Sequence, residues 1–247
     1  MGRIILITGT NGGAVGNYPA KSLGCPESYP APPFWLDLLS PSERLLCRIS
    51  NGLKLHPRVQ RACLSRHREP SCEDFNDYLF IQTSLLEPSR TNLFIQRDIK
   101  IILSREHLIT VHKSRTSLQC LLSSSNVSGF ARTGTLLLTL LDSSLDQVME
   151  SFCYEEQMLL PLPTDQAPQK NLLWWRLRNF RAALFRDVNL LQGIAFAGDR
   201  FFDPDDKSLF DSIRAQNHLL SNVTTRLLSR MYHPFEVPSM QTQKKIS

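Results

Sequence analysis

Two histidines five residues apart, in the run His107-Leu108-Ile109-Thr110-Val111-His112, are with His56 and His67 the first groups that could bind a metal. The run reads as a strand, and there a separation of five puts the two rings on opposite faces, so they cannot share an ion unless the chain bends. Cap and core roles suit them better. The six cysteines (Cys25, Cys47, Cys63, Cys72, Cys120, Cys153) form no CxxC pair and no compact Cys/His cluster. That disfavours both zinc and a disulfide framework and points to buried, reduced thiols. Ser123-Ser124-Ser125 lacks the glycine elbow of a hydrolase nucleophile, and no Walker loop is present. Gly9, Gly13 and Gly16 follow an apolar run in a spacing like that of a dinucleotide-binding loop. That loop must open a helix, however, and Pro19, Pro26, Pro30, Pro32 and Pro33 allow no long one. These residues make no catalytic constellation, so the chain reads as a non-enzyme.

The elements that position these groups fall into an α/β head and a helical tail. Ile4 to Thr8 is strand-like, and Asn11-Gly12-Gly13 is a turn signal for a hairpin. Trp35 to Leu38 reads as a strand. Ser40-Pro41-Ser42-Glu43 then caps a short helix to about Gly52, and a second helix runs from His56-Pro57 to about Leu64. Tyr78 to Thr83, Lys100 to Leu103 and His107 to His112 are three further strands, the last two joined by a hairpin-length connection. From Thr133 to Leu160 the apolar spacing is helical; Pro161 and Pro163 end it, and Lys170 to Ala197 follows with Arg176, Arg178, Arg181 and Arg186 on its polar side. These two helices are expected as an antiparallel pair, one acidic and one basic. Asp203-Pro204-Asp205-Asp206 caps a third helix, along which Ile213, Leu220 and Leu227 recur every seven residues, while Gln216 and Arg230 interrupt the companion row.

The fold class is therefore α/β: a sheet flanked by helices in an N-terminal head, then a long-helix tail. The expected organisation is a hairpin and Pro-rich linker over 1–33, the head over 34–130, a helical hairpin and stalk helix over 131–233, and a disordered tail over 234–247. The longest leucine run, Leu136 to Leu141, is broken by Thr139 and followed by Asp142, far short of the roughly 20 apolar residues of a membrane helix. No secretory signal opens the chain, which places it on the cytoplasmic side. The net charge of +5 is spread from Arg3 to Lys245, and the row Arg58, Arg61, Arg66, Arg68 has no interleaved aromatics, so nucleic acid is not the expected partner.

Taken in order, Phe34-Trp35-Leu36-Asp37-Leu38 with Pro41, Leu55-His56-Pro57, and His67-Arg68-Glu69-Pro70 leading into Phe75-Asn76-Asp77-Tyr78-Leu79-Phe80-Ile81 form a recognisable series. It continues through His107 to His112, the leucine-rich helix around Leu136 to Asp142, and the Leu/Arg-rich helix from Leu172 to Asp187. The series resembles the cytoplasmic domain of the CorA magnesium-transporter family. The resemblance implies a two-helix projection, a stalk helix beginning near Pro204, a homopentamer, and a Gly-Met-Asn signature at a membrane pore. No Gly-Met-Asn occurs in this sequence. The implied protein is thus the soluble domain of a Mg2+ or other divalent-cation transporter, in a sensing or gating role and cut before the pore. It would lie at the cytoplasmic face of the inner (plasma) membrane, meeting the membrane only through a missing C-terminal segment. Regulation in the family rests on carboxylates between subunits, which here implies Glu87, in the loop after the Tyr78 to Ile81 strand, and Asp205, Asp206 and Asp211 at the stalk, with Mg2+ as the ion they hold. The alternative is a helical protein-interaction module without ion chemistry.

Overall fold

The computed structural model describes residues 3–8, 16–17, 29, 31–65, 69–89, 94–114, 116, 130–159, 167–196 and 200–232. The Asn11-Gly12-Gly13 turn, His67, Arg66, Arg68, Cys25, Cys120, Ser123 to Ser125, Pro161, Pro163 and the 234–247 tail lie outside them. Seven strands form one sheet: β1 (Arg3–Thr8), β2 (Gly16–Asn17), β3 (Phe34–Leu39), β4 (Ser71–Asp74), β5 (Leu79–Pro88), β6 (Phe94–Leu103) and β7 (His107–His112). Their order is β2-β1-β3-β7-β6-β5-β4, and only β3 and β7 are parallel. Because β1 is antiparallel to both of its neighbours, it is not the first strand of a βαβ phosphate loop.

One sheet face is covered by two short helices, α1 (Glu43–Gly52) and α2 (Pro57–Leu64). Ser42 caps α1 by accepting the Leu45 N–H at 3.3 Å, and His56 caps α2 by accepting the Arg58 N–H on Nδ1 at 3.2 Å. Leu46, Ile49, Val59 and Cys63 from the helices meet Phe34, Leu36, Leu38, Phe80, Ile102, Ile109 and Val111 from the strands. Strand alternation sends Trp35, Leu79, Ile81 and Ile101 to the other face, under α3 (Thr133–Leu159), α4 (Ala167–Phe196) and α5 (Asp206–Tyr232). The α/β head followed by long helices is thus present.

Three details differ from the sequence expectation. β5 and β6 each run to ten residues, because Leu85 and Leu86 are buried and keep pairing with β6 as far as Phe94. β4 is a short edge strand that its sequence, Ser-Cys-Glu-Asp, does not announce. The third difference is that α3 and α4 are not a pair closed on each other: α5 packs against both of them. α3 and α4 meet through side chains, as where the Phe152 and Phe180 rings stack at 5.4 Å beside Phe94. The heptad residues Ile213, Leu220 and Leu227 serve this packing inside one chain, and all three are buried. Gln216, which breaks the companion row, reaches Asp146 and Asp142 of α3 at 3.1 and 3.4 Å.

The starts of α3 and α5 are tied together. Thr133 donates to the Ser104 carbonyl, Arg132 pairs with Asp203, and Arg105 donates to the Arg200 carbonyl at 2.7 Å. A β-carbon at Gly134 would collide with the Phe201 carbonyl oxygen, so only glycine admits that approach.

Leu220 is fully buried while its neighbour Leu219 is half exposed. Leu220→Ala is therefore expected to lower unfolding free energy by about 2–5 kcal/mol, and Leu219→Ala by less than about 0.5 kcal/mol. Urea titrations of the two variants check this; equal losses would show that α5 is not seated by its heptad row.

Candidate functional site

The parallel β3–β7 register sets Asp37 opposite Thr110 and Leu39 opposite His112. Asp37 Oδ1 accepts hydrogen bonds from Thr110 Oγ1 at 2.5 Å and His112 Nε2 at 2.8 Å, and Trp35 Nε1 donates to Thr110 Oγ1 at 3.0 Å. His112 Nδ1 lies 2.7 Å from the Ser114 carbonyl. Both ring nitrogens thus face acceptors, which suits the imidazolium form. Burial is the largest influence and works against that charge, but the bond to Asp37, its negative charge, the Ser114 carbonyl and the Glu87 charge together outweigh it and raise the His112 pKa. An Asp–His pair beside a hydroxyl has the composition of a proton relay. Here Asp37, His112 and Thr110 are at most 1% exposed, and both imidazole nitrogens are engaged, so the network holds two strands together. His107, on the opposite face, stacks on Phe34, and burial depresses its pKa to about 4. It is a neutral core residue.

The four carboxylates singled out for a cation do not come together in one chain. Glu87 is not in a loop: it lies within β5 opposite Ile95, because the β5–β6 ladder continues past it, and it is ion-paired with Arg97 at 3.4 Å. Asp206 is 5% exposed and its carboxylate reaches back over the start of α5, accepting the Asp203 N–H and the Thr135 hydroxyl at 2.9 Å each. Asp205 and Asp211 are exposed, but six residues apart they do not share a helix face. Among the described residues no group of three or more His, Cys, Asp or Glu side chains is arranged to hold a metal ion.

Residues 32–153 match the family described as CorA-like Mg2+ transporter protein. That stretch is CorA-like in sequence. The matched stretch, just under half of the chain, runs from before β3 into α3, so it contains the Asp37–His112 junction and Glu87 but not Asp205, Asp206 or Asp211. Beyond the CorA-like match, likeness extends to the whole fold. The soluble domain of CorA from Methanocaldococcus jannaschii has a TM-score of 0.68 at 13% identity, covering 92% of this chain and 93% of that one. The complete CorA magnesium transporter from the same organism gives 0.68 at 15%, covering 92% of this chain and 74% of that one. The ZntB cytoplasmic domain from Vibrio parahaemolyticus gives 0.71 at 9%, covering 93% of each. At these identities the structures share a fold, that of the CorA soluble domain. No curated protein is significantly similar in sequence.

Sequence reasoning misses two features of this fold. The Asp37–His112 contact spans 75 positions and exists only once β3 and β7 pair in parallel. The other is Asp187 on α4, which lies beside a small apolar space of about 50 Å3 between sheet and helices, with Thr83 Oγ1 at 3.5 Å from its Oδ1. Its setting among Val188, Leu190 and Leu191 is the available signal. Burial pushes its carboxyl up to about 7, against the opposing pulls of Arg186 and the Thr83 hydroxyl.

The folded chain keeps a proton on Asp187 that the unfolded chain releases near pH 4, the ordinary carboxylate range, so stability is fully present below about pH 4 and falls as pH rises toward about 7. Wild-type unfolding free energy is expected to decline between about pH 5 and pH 7, and Asp187→Asn to flatten that decline. Chemical denaturation across that interval measures it; an unchanged slope in the variant would assign the titration to another group.

Proposed function

We propose that this chain acts as the soluble domain of a CorA-like transporter of Mg2+ or another divalent cation, in a sensing or gating role at the cytoplasmic face of the membrane. The observation that carries this reading is the match of residues 32–153 to the CorA-like family. A dication crosses hydrocarbon only through a spanning, internally hydrogen-bonded structure. None of the described helices is long and apolar enough to cross a membrane. The role proposed for these residues is therefore control of the cation's passage and not the passage itself.

In one chain the candidate carboxylates do not fit a metal, as Glu87 and Asp206 are committed to Arg97 and to the α5 cap. A regulatory cation would have to lie between copies of the chain, in a homo-oligomer that the family resemblance puts at five. Mg2+ usually keeps several of its waters and needs only one or two carboxylates. Asp205 and Asp211, the exposed pair, are the side chains proposed for it. Repulsion between like carboxylates across a symmetric contact supplies the coupling, because a cation placed between them removes it.

Sedimentation velocity of the 247-residue chain, with and without Mg2+ at fixed ionic strength, tests the reading. Mg2+ is expected to shift the chain toward larger species, and Asp205→Asn with Asp211→Asn to abolish the shift while leaving the α5 cap intact. A wild-type chain indifferent to millimolar Mg2+ would remove the sensing role, and a full response in the double variant would move it to other residues.

A further inference from the structure

A second, polar cavity lies away from the α5 carboxylates and is not used by the cation reading. Its volume is about 540 Å3, within the ~300–1,000 Å3 typical of small-molecule sites. It opens beyond the carboxyl ends of β3 and β7, where Ser40 and Lys113-Ser114 leave the strands. In open α/β sheets, the crevice outside the carboxyl ends of parallel strands is where ligands lodge. Ser40 is shaped for this place: it is a non-glycine residue at φ 47°, held there by its N–H to the His112 carbonyl and its hydroxyl to the Lys113 carbonyl, each at 2.7 Å. Backbone strain of this kind collects at ligand clamps and active sites.

The lining is cationic. Lys100 comes from β6, Lys113 follows β7, and Arg97 and Arg186 approach from β6 and α4; Asp98 is the one carboxylate among the described lining residues. Glu87 balances Arg97; Asp98 accepts the Ser84 hydroxyl at 3.2 Å, and its charge is felt by Lys100 at a distance without an ion pair. Lys100 is only 4% exposed, and its ammonium donates to the Ser65 carbonyl at 3.0 Å. Lys113 donates to the Leu64 carbonyl at 3.0 Å. Among the described residues neither ammonium has a carboxylate within ion-pair distance. An ammonium has three donors, and a buried one is costly unless a counter-charge meets it. Burial lowers the Lys100 pKa, the strain that an anion would relieve. Arg186, exposed on the facing helix, is held among the described residues by a single 3.5 Å contact to Gln96 and can offer a planar pair of donors to an oxyanion.

We infer that this cavity binds a small phosphate-bearing anion, gripped by Lys100 and Lys113 at the end of α2 and by Arg186 from α4. A recess of this size takes a phosphate ester; a nucleic-acid duplex or a membrane surface needs an extended basic face, which a recess does not present. The inference does not rest on the Mg2+ reading.

The experiment adds AMP, and separately inorganic phosphate, to the full chain with Mg2+ absent and ionic strength held with NaCl, while amide NMR shifts are followed. Saturating shifts for Ser40, Lys113 and Ser114 are expected below about 10 mM AMP. Lys113→Gln with Arg186→Gln, both exposed and so tolerable to the fold, is expected to weaken AMP binding by about tenfold or more. Thermal unfolding without ligand checks that this variant remains folded. Tighter AMP than phosphate binding assigns the site to a phosphate ester, and equal binding assigns it to phosphate itself; both support the proposal. No saturable shift with either probe, or undiminished AMP binding by the folded double variant, overturns it. Because Mg2+ is left out, neither result bears on the cation reading.

Discussion

The structure depends on one junction, the parallel pairing of β3 with β7. On one side of it lies the N-terminal antiparallel pair β1 and β2, on the other the antiparallel run from β7 to β4, and no other ladder among the described residues joins them. The two strands are separated in sequence by α1, α2 and three strands, so their pairing closes a long loop, and such closure must be met by strong local contact. Asp37, Thr110, His112 and Trp35 supply it with a chain of hydrogen bonds between 2.5 and 3.0 Å among buried side chains. Low dielectric strengthens each bond and makes a missing partner expensive. The same network therefore stabilises this register and penalises any other.

How much of this the sequence reveals depends on the range of the interaction concerned. Ser42, His56 and the Asp203–Asp206 segment announce helix starts because capping is settled within four residues. Ile213, Leu220 and Leu227 announce a buried helix face for the same local reason. The ordered series from Phe34 to Asp187 carries the family resemblance, and the match over 32–153 and the shared fold agree with it. Glu87 is misplaced by the sequence because Leu85-Leu86-Glu87-Pro88 does not alternate; only the ten-residue partner strand shows that the ladder continues there. The insertion of α5 against both α3 and α4 is hidden as well, since periodicity tells which face of a helix is buried and not which neighbour buries it.

The sheet separates two chemical environments. Toward α3, α4 and α5 the space is apolar, and the carboxyl of Asp187 is raised because little solvent stabilises its charge. At the carboxyl ends of β3 and β7 the chain gathers ammonium and guanidinium groups around a polar recess. Arg186 and Asp187 are consecutive on α4, yet Arg186 lines the polar recess while Asp187 lines the apolar space, and the Arg186 charge opposes the effect of burial on the Asp187 carboxyl.

The tie between the starts of α3 and α5 also has a mechanical meaning. Ser104, Arg105, Thr133, Thr135, Asp203 and Asp206 gather the β6–β7 turn and two helix origins into one joint, with Gly134 keeping the pieces in contact. α5 leaves that joint as a rod of 27 residues, about 40 Å long. A tilt of about 5° at its root displaces the far end by about 3.5 Å, more than half of one helical turn. Because Ile213, Leu220 and Leu227 seat α5 against α3 and α4 along its length, a tilt of that size requires the packing of all three helices to shift with it.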